Sequence, residues 1–339
     1  MLKTITLGKT GITSIKNAFG ALPIQRIPLE DAVYLLRKSY DNGVRFYDTA
    51  RFYTDSEEKL GAAFEGVRDN VFIASKTTAQ TAKGFWTDLE ITLNNLKTDY
   101  LDLYQFHNPS SCPKPRDGAG LYEAMREAKQ KGIVRHIGMT NHRLSVAKEA
   151  IESGLYETLQ FPFSYLSGEQ ELELVRMCKE TDMGFIAMKA LAGGLITNSA
   201  AAYAYLDQFD NVLPIWGVQR ESELDEFLSY NDNPPTMTDE IESVIEADRK
   251  ELAGEFCRGC GYCMPCPAGI DISTCARMSL LLRRAPLDIY SNEEHQAKMK
   301  KIEECFNCRK CVIQCPYGLD TPNLLKKNYE DFKKFIKQI

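Results

Sequence analysis

The chain has 339 residues, of which 44% are apolar and 26% charged, with a formal net charge of −6 at pH 7. That balance is ordinary for a globular protein and argues against the basic surface that nucleic acid or an anionic membrane would select. No N-terminal apolar stretch has signal-peptide length and no run approaches the ~20 apolar residues of a membrane span, so the expectation is a cytoplasmic protein with small soluble ligands and no membrane partner.

The opening segment LKTITLGKTGITSI alternates around Gly8 and Gly11 and suits a hairpin. NAFGALP then predicts a first strand and LEDAVYLLRKSYDNG its helix. From residue 44, short apolar or β-branched runs (VRFYD, VFIASK, LDLYQFH, HIGMT, TLQFPF, GFIAMK, VLPIW) alternate with amphipathic stretches such as SEEKLGAAFEG and FWTDLEITLNNL. Eight strand–helix pairs in regular alternation are the sequence form of an α/β (β/α)8 TIM barrel, although a doubly wound sheet gives similar local patterns.

Four residues have a chemical pattern on such a barrel. Asp48 ends the second expected strand, Tyr53 lies in the loop after it, Lys76 ends the third strand and His107 the fourth. All four therefore converge on the carboxyl face, where barrel enzymes keep their chemistry. Carbonyl reduction needs a proton donor within reach of the developing alkoxide, and a tyrosine hydroxyl serves when a neighbouring ammonium stabilises the phenolate left behind. Asp48 would hold that ammonium charged and oriented, and His107 would direct the carbonyl oxygen by a hydrogen bond.

Paired prolines in NDNPPTMTDE break the pattern, and TDEIESVIEADRKEL reads as a connecting helix beyond them. Eleven cysteines in a cytosolic chain argue for metal or redox chemistry rather than disulfides. Cys112, Cys178 and Cys275 are isolated and read as packing thiols. The other eight form two sets: Cys257, Cys260, Cys263 and Cys266 before Pro267, and Cys305, Cys308, Cys311 and Cys315 before Pro316. The second set is the bacterial ferredoxin run, in which three cysteines wrap one cubane and the fourth reaches the other cluster. That rule predicts one [4Fe–4S] cluster on Cys257, Cys260, Cys263 and Cys315 and a second on Cys305, Cys308, Cys311 and Cys266. The first set is one residue short before its last cysteine. A zinc site built of cysteine thiolates alone is the alternative, and overlapping CxxC runs ending in CP are uncommon for zinc.

CPAGIDIS and CPYGLDTP repeat the same spacing of Cys, Pro, Gly and Asp. Thr321 and Pro322 suit the N-cap and first residue of a closing helix whose Leu324, Leu325, Tyr329, Phe332 and Phe335 share one face. The expected organisation is a barrel over residues 1–230, a linker and connecting helix over 231–254, and a small, mainly helical ferredoxin-like iron–sulfur domain over 255–339.

DTARFYTDSEEKLGAAF, VFIASKT and KTDYLDLYQFHNP together resemble the aldo-keto reductase family, over about Thr4 to Tyr230. The resemblance implies Tyr53 as general acid, Lys76 and Asp48 as its tuning pair, and His107 as substrate orienter. It also implies a nicotinamide site: Thr140 and Asn141 in IGMTNH with Gln160 in LQFPF at the carboxamide, and Met188 where relatives stack a tyrosine. Leu191, Gly193 and Gly194 would approach the pyrophosphate. Gly217, Gln219, Arg220 and Glu226 match the adenosine end, where Glu223 would oppose a 2′-phosphate and Arg220 would compensate. CRGCGYCMPCPAGIDI is similar to a subset of the family that carries a two-cluster ferredoxin-like tail.

The function expected is an NAD(P)H-dependent oxidoreductase interconverting a carbonyl and an alcohol, with NADP(H) as cofactor and NAD(H) as the alternative. Electron transfer through two [4Fe–4S] clusters would link it to a redox partner protein. Two other readings stand: clusters that are structural or redox-sensing, or a nicotinamide-binding electron-transfer subunit with little carbonyl turnover. Enzymes that join two-electron and one-electron carriers usually employ a flavin; no flavin motif is evident, though a barrel can hold a phosphate-bearing cofactor without one. Phe52, Trp86 and Phe163 would suit an apolar substrate, or core packing equally well.

Overall fold

A computed structural model describes residues 3–252, 256–259, 261–284 and 290–337. The chain divides into two compact units, residues 1–190 with 199–242 and residues 191–198 with 243–339. Cys260, and residues 253–255 at the expected start of the tail, lie outside the described residues.

The first unit opens on the expected hairpin, β1 (Thr4–Thr6) antiparallel to β2 (Thr13–Ile15) with Thr4 opposite Ile15. Its turn needs glycine: Gly8 has φ 47°, and a Cβ there would lie 2.4 Å from the Asp182 carbonyl oxygen. Eight parallel strands follow as a closed barrel: β3 (Ala18–Gly20), β4 (Phe46–Asp48), β5 (Phe72–Thr77), β6 (Leu101–His107), β7 (Val134–Thr140), β8 (Thr158–Pro162), β9 (Gly184–Met188) and β10 (Val212–Gly217). β10 pairs with β3, Trp216 opposite Phe19, and this closure decides against an open doubly wound sheet.

The intervening helices are α1 (Leu29–Asp41), α2 (Ser56–Ala63), α3 (Ala82–Leu96), α4 (Leu121–Gln130), α5 (Leu144–Ser153), α6 (Glu169–Glu180), α7 (Ser199–Asp207) and α8 (Glu221–Asp232). Ile5, Leu7 and Ile12 of the hairpin share one buried cluster with Phe46, Ile186 and Leu213 near the strand starts. The hairpin thus covers the amino-terminal end of the barrel and leaves chemistry to the other end. After the prolines, α9 (Asp239–Glu251) forms as expected and runs from the first unit into the second.

The second unit is helical, with short segments at Ile272–Cys275, Met278–Arg284, Glu293–Lys300 and Lys310–Ile313 before a closing helix at Thr321–Ile336. The internal repeat has a structural counterpart. In both copies the glycine N–H donates to the carbonyl of the cysteine three residues earlier, Gly269 to Cys266 at 2.8 Å and Gly318 to Cys315 at 3.3 Å. Both glycines are left-handed, φ 69° and 63°, and both aspartates that follow, Asp271 and Asp320, stand at a helix N-cap. The cap of the closing helix is therefore Asp320 rather than Thr321, because the repeated turn ends one residue earlier. Leu325 and Phe332 are buried in the core of this unit, and Leu324, Tyr329 and Phe335 pack against it. No helix among the described residues is long and apolar enough to cross a membrane.

Candidate active site and cysteine cavity

The carboxyl end of the barrel brings Asp48, Tyr53, Lys76 and His107 together. Lys76 Nζ contacts both oxygens of Asp48, with Oδ2 at 2.5 Å, and donates to the Thr49 carbonyl at 2.6 Å. Both side chains are almost fully buried, at 1% and 2% exposure, so neither charge can be solvated without the other. Burial pushes the Lys76 ammonium down and the Asp48 carboxyl up, and their contact opposes both shifts. The Thr49 carbonyl and the Gln160 amide, which donates to Asp48 Oδ1 at 3.1 Å, each hydrogen-bond the ionised form. These hydrogen bonds favour the ionised form of each side chain against the effect of burial.

Tyr53 sits over this pair, its ring centroid 5.3 Å from Lys76 Nζ. The turn that carries it is tied at both ends: Tyr53 N–H donates to Ala50 O at 2.9 Å and Ser56 N–H to Tyr53 O at 2.8 Å. The His107 ring meets Tyr53 edge to face at 5.8 Å and Phe52 at 6.4 Å. Burial, reinforced by the Lys76 charge, pushes His107 down to about 3. The imidazole is therefore neutral near pH 7 and donates from one ring nitrogen only. Its Nδ1 is buried without a hydrogen-bond partner among the described residues.

Of the aromatics expected near a substrate, Phe52 is exposed beside His107, whereas Phe163 is 1% exposed and packs among Phe185, Phe209 and Tyr205. Trp86, on α3, lies against Phe85 and under Lys131.

The structure also shows partners that the strand-end pattern missed. Gln105 donates to Gln160 Oε1 at 2.7 Å, so Gln160 joins the Asp48–Lys76 network. Glu57, fully buried on α2, accepts from Ser75 at 2.7 Å, Thr92 at 2.9 Å and Asn95 at 3.3 Å, and pairs with Arg51. Arg51 N–H in turn donates to the Lys76 carbonyl at 3.0 Å. The polar, inward-facing Gln105 two residues before His107 is the one local signal that could have pointed to this network.

Thr140 ends β7, with its hydroxyl 3.4 Å from the Gln160 carbonyl. Asn141 uses Oδ1 to accept from the backbone of His142 and Arg143, and Nδ2 to reach the Pro109 carbonyl at 3.0 Å. Met188 ends β9. Leu191, Gly193 and Gly194 fall in the second unit. At the start of α8, Glu223 accepts from the backbone N–H of Gln219 and Arg220 at 3.0 and 3.1 Å and pairs with the Arg220 guanidinium at 2.5 Å. Arg220 is thus engaged by the carboxylate it was expected to offset. Glu226 is held by Ser199 and Tyr230, and Gly217 closes β10 against Pro23.

In the second unit, Cys266, Cys305, Cys308 and Cys311, the expected second ligand set, line one cavity together with Cys263. Ile270, Ile272 and Leu325 form its apolar wall. An all-thiol donor set spread round an apolar cavity fits a polynuclear iron–sulfur centre with a thiolate at each corner. Among the described residues no three His, Cys, Asp or Glu side chains converge on a single ion. Cys257 is buried and Cys315 partly buried in the same core, and Cys263 of their expected set lines the cavity of the other.

Residues 11–212 match the aldo/keto reductase family and residues 256–320 a 4Fe-4S dicluster domain. An aldo-keto reductase of Bacillus subtilis is 29% identical over 181 residues, 49% of this chain and 54% of that protein. The L-galactose dehydrogenase of Arabidopsis thaliana is 26% identical over 210 residues, 56% of this chain and 66% of that protein. The chain thus spans between half and two thirds of the length of these curated relatives. Among solved structures, an aldo-keto reductase from Bacillus halodurans superposes with a TM-score of 0.65 at 19% identity, covering 73% of this chain and 96% of that one. One from Klebsiella pneumoniae, solved with NADPH, gives 0.62 at 21% identity over 73% and 95%. At these identities the structural likeness is one of fold. The segment matched by family spans more than half of the chain and contains Asp48, Tyr53, Lys76 and His107. The chain belongs to the aldo/keto reductase family, with a 4Fe-4S dicluster domain following the barrel.

Proposed function

We propose that the protein interconverts a small carbonyl compound and its alcohol with NADP(H) or NAD(H), in the cytoplasm, and exchanges single electrons with a redox partner through two [4Fe–4S] clusters. The observation that carries the barrel half is the buried Lys76–Asp48 pair beneath the Tyr53 ring, with a neutral His107 at its edge. When bound, the nicotinamide supplies the hydride and the clusters supply one-electron transfer.

A carbonyl carbon that takes a hydride leaves negative charge on its oxygen. Tyr53 gives its hydroxyl proton to that oxygen, Lys76 stabilises the phenolate that remains, and Asp48 keeps Lys76 protonated and aimed. His107 donates a single hydrogen bond that orients the oxygen. Thr140, Asn141 and Gln160 would hold the carboxamide, although Asn141 has one Nδ2 hydrogen left for it and Gln160 already serves Asp48. Cys305, Cys308, Cys311 and Cys266 would hold one cluster, and Cys257, Cys260, Cys263 and Cys315 the other.

A second reading makes the clusters structural, and the burial of Cys257 and Cys311 within the core of the small unit favours it. Adding NADPH to anaerobically purified protein separates the two. Bleaching of the visible cluster absorbance is the result expected of a relay; unchanged absorbance during full carbonyl turnover would leave a structural or redox-sensing role. For the barrel, Tyr53→Phe lowers kcat for NADPH-dependent reduction of 4-nitrobenzaldehyde by roughly 10²–10⁴. Wild-type kcat in that variant would remove Tyr53 as the acid.

A further inference from the structure

The second unit is charged differently from the rest of the chain. Residues 191–198 and 243–339 hold 16 lysines and arginines against 13 aspartates and glutamates, a formal +3 counted without thiolates or iron, within a chain of −6. The first unit therefore stands at −9. An acidic protein is repelled by the first unit and tolerated by the second.

One loop of the second unit is bare. All five residues from Phe306 to Lys310 are exposed, and the backbone is left-handed at Asn307 (φ 53°) and Arg309 (φ 57°). Phe306 is 64% exposed, and Ile313, which ends the short helix Lys310–Ile313 on the same face as Lys310, is 84% exposed. Cys308 is the one exposed thiol among the five that line the cavity, and Phe306 and Ile313 stand on either side of it in the chain. The Lys310 ammonium has no ion pair or hydrogen bond among the described residues, and Arg309 only approaches Asp320, at 3.8 Å. The acids just before the loop are engaged, Glu304 by Lys301 at 3.1 Å and Glu303 by the Tyr329 hydroxyl at 2.9 Å.

The internal repeat shows that cysteine spacing alone does not require this exposure. Arg258 follows Cys257 as Phe306 follows Cys305, yet Arg258 is half-buried and its guanidinium stacks on the Tyr317 ring at 4.1 Å. The first copy packs that position within the unit. The second leaves an aromatic ring in water, together with an isoleucine, where burial against a partner would remove both from solvent.

We propose that Phe306, Lys310 and Ile313 form the docking patch for an acidic one-electron carrier protein, seated at Cys308; this rests on the proposed exchange of electrons through the clusters. Unpaired cationic charge steers the carrier in, and the two apolar side chains fix its seat. A small patch suffices, because transient electron-transfer contacts bury less than about 1,200 Å². Each encounter moves one electron from a reduced cluster to the carrier's metal, and no proton or group moves with it.

The test uses the full chain with its clusters reconstituted and chemically reduced, mixed anaerobically with an acidic plastocyanin and, separately, with the basic cytochrome c, each a one-electron acceptor. Lys310→Glu is expected to lower the second-order rate with plastocyanin on the order of tenfold at low salt and to raise that with cytochrome c. Both differences should vanish near 1 M salt, where the Debye length is ~3 Å. Ile313→Ser is expected to slow plastocyanin roughly three- to tenfold at every salt concentration, since that contribution is apolar. Wild-type visible absorbance and iron content in each variant would show that the clusters are intact; if Ile313→Ser fails that control, Ile313→Thr replaces it. Plastocyanin rates within twofold of wild type in both intact variants overturn the patch and leave the relay standing. An equal loss with both carriers in Lys310→Glu also overturns it, because a charge-blind loss is not steering. A dimer in sedimentation that Ile313→Ser abolishes would give the patch to a second copy of the chain and overturn the carrier. Patch-dependent rates in a protein whose clusters NADPH does not bleach would uphold the docking patch while removing the nicotinamide as the electron source.

Discussion

The Lys76–Asp48 pair is the residue-level feature on which the proposed barrel chemistry turns, and its burial lets charge be separated from stability. Lys76→Met alone leaves a carboxylate buried without its cation, which costs about 3–5 kcal/mol. Lys76→Met combined with Asp48→Asn removes both charges, so a urea midpoint nearer wild type is expected in the double variant. Carbonyl turnover should stay lost, because the phenolate then has no ammonium beside it. Recovery of turnover in the double variant would show that the ammonium is not needed. His107 adds a pH dependence. Its folded value of about 3 lies below the ordinary ~6.5, so between those limits the unfolded chain binds the extra proton. The stability tied to a neutral His107 is thus fully present above about pH 6.5 and lost as pH falls towards 3. His142, also pushed down by burial, adds to the same slope. The urea midpoint of His107→Asn should therefore fall less than that of wild type between pH 7 and pH 5, and parallel curves would contradict a neutral, buried His107.

At the scale of elements, Glu57 shows what the chain order hides. In SEEKL it looks like a solvent-facing glutamate on an amphipathic helix, yet its partners Arg51, Thr92 and Asn95 come from 6, 35 and 38 residues away. It fastens α2 to α3 and to β5 beside Lys76. Glu57→Ala leaves Arg51, Ser75 and Thr92 without their acceptor, and a loss of about 3–5 kcal/mol in chemical denaturation is expected. A loss below about 1 kcal/mol would mean that water replaces the carboxylate there. The strands were readable because parallel strands buried on both faces are short apolar runs, and Asp48 and His107 were readable because each ends such a run. The resemblance assigns Gln160 to the nicotinamide carboxamide; that its side chain also joins Gln105 to Asp48 was not readable, because the three lie on strands far apart in sequence. By contrast, the Arg220–Glu223 contact and the cap of α8 are local to PIWGVQRESEL, since Glu223 stands three residues after the N-cap.

For the molecule as a whole, the two units hold themselves together by different means. The barrel closes on itself and buries a continuous set of apolar strand residues, with the hairpin sealing one end. The second unit has a small core in which the thiols are themselves constituents: Cys257 and Cys311 are buried in it, and Cys263, Cys266, Cys305 and Cys315 pack around it. Cysteine spacing pointed to that grouping, because three ligands of each expected set recur at short fixed intervals while the fourth comes from the other set. The membership of residues 191–198 was not readable, since a loop continuing a barrel strand carries no mark of where it packs. A metal that binds only the folded site contributes its binding free energy to that fold. Removing iron with a chelator under anaerobic conditions should therefore unfold the second unit and spare the barrel. Calorimetry of the iron-depleted chain should show a barrel transition at the temperature seen in the loaded protein, with no separate transition for the second unit. Limited proteolysis should then cut beyond the prolines of NDNPPTMTDE and leave a protected fragment carrying Asp48, Tyr53, Lys76 and His107. A barrel transition that moves down with iron loss would instead show that the two units fold as one cooperative body.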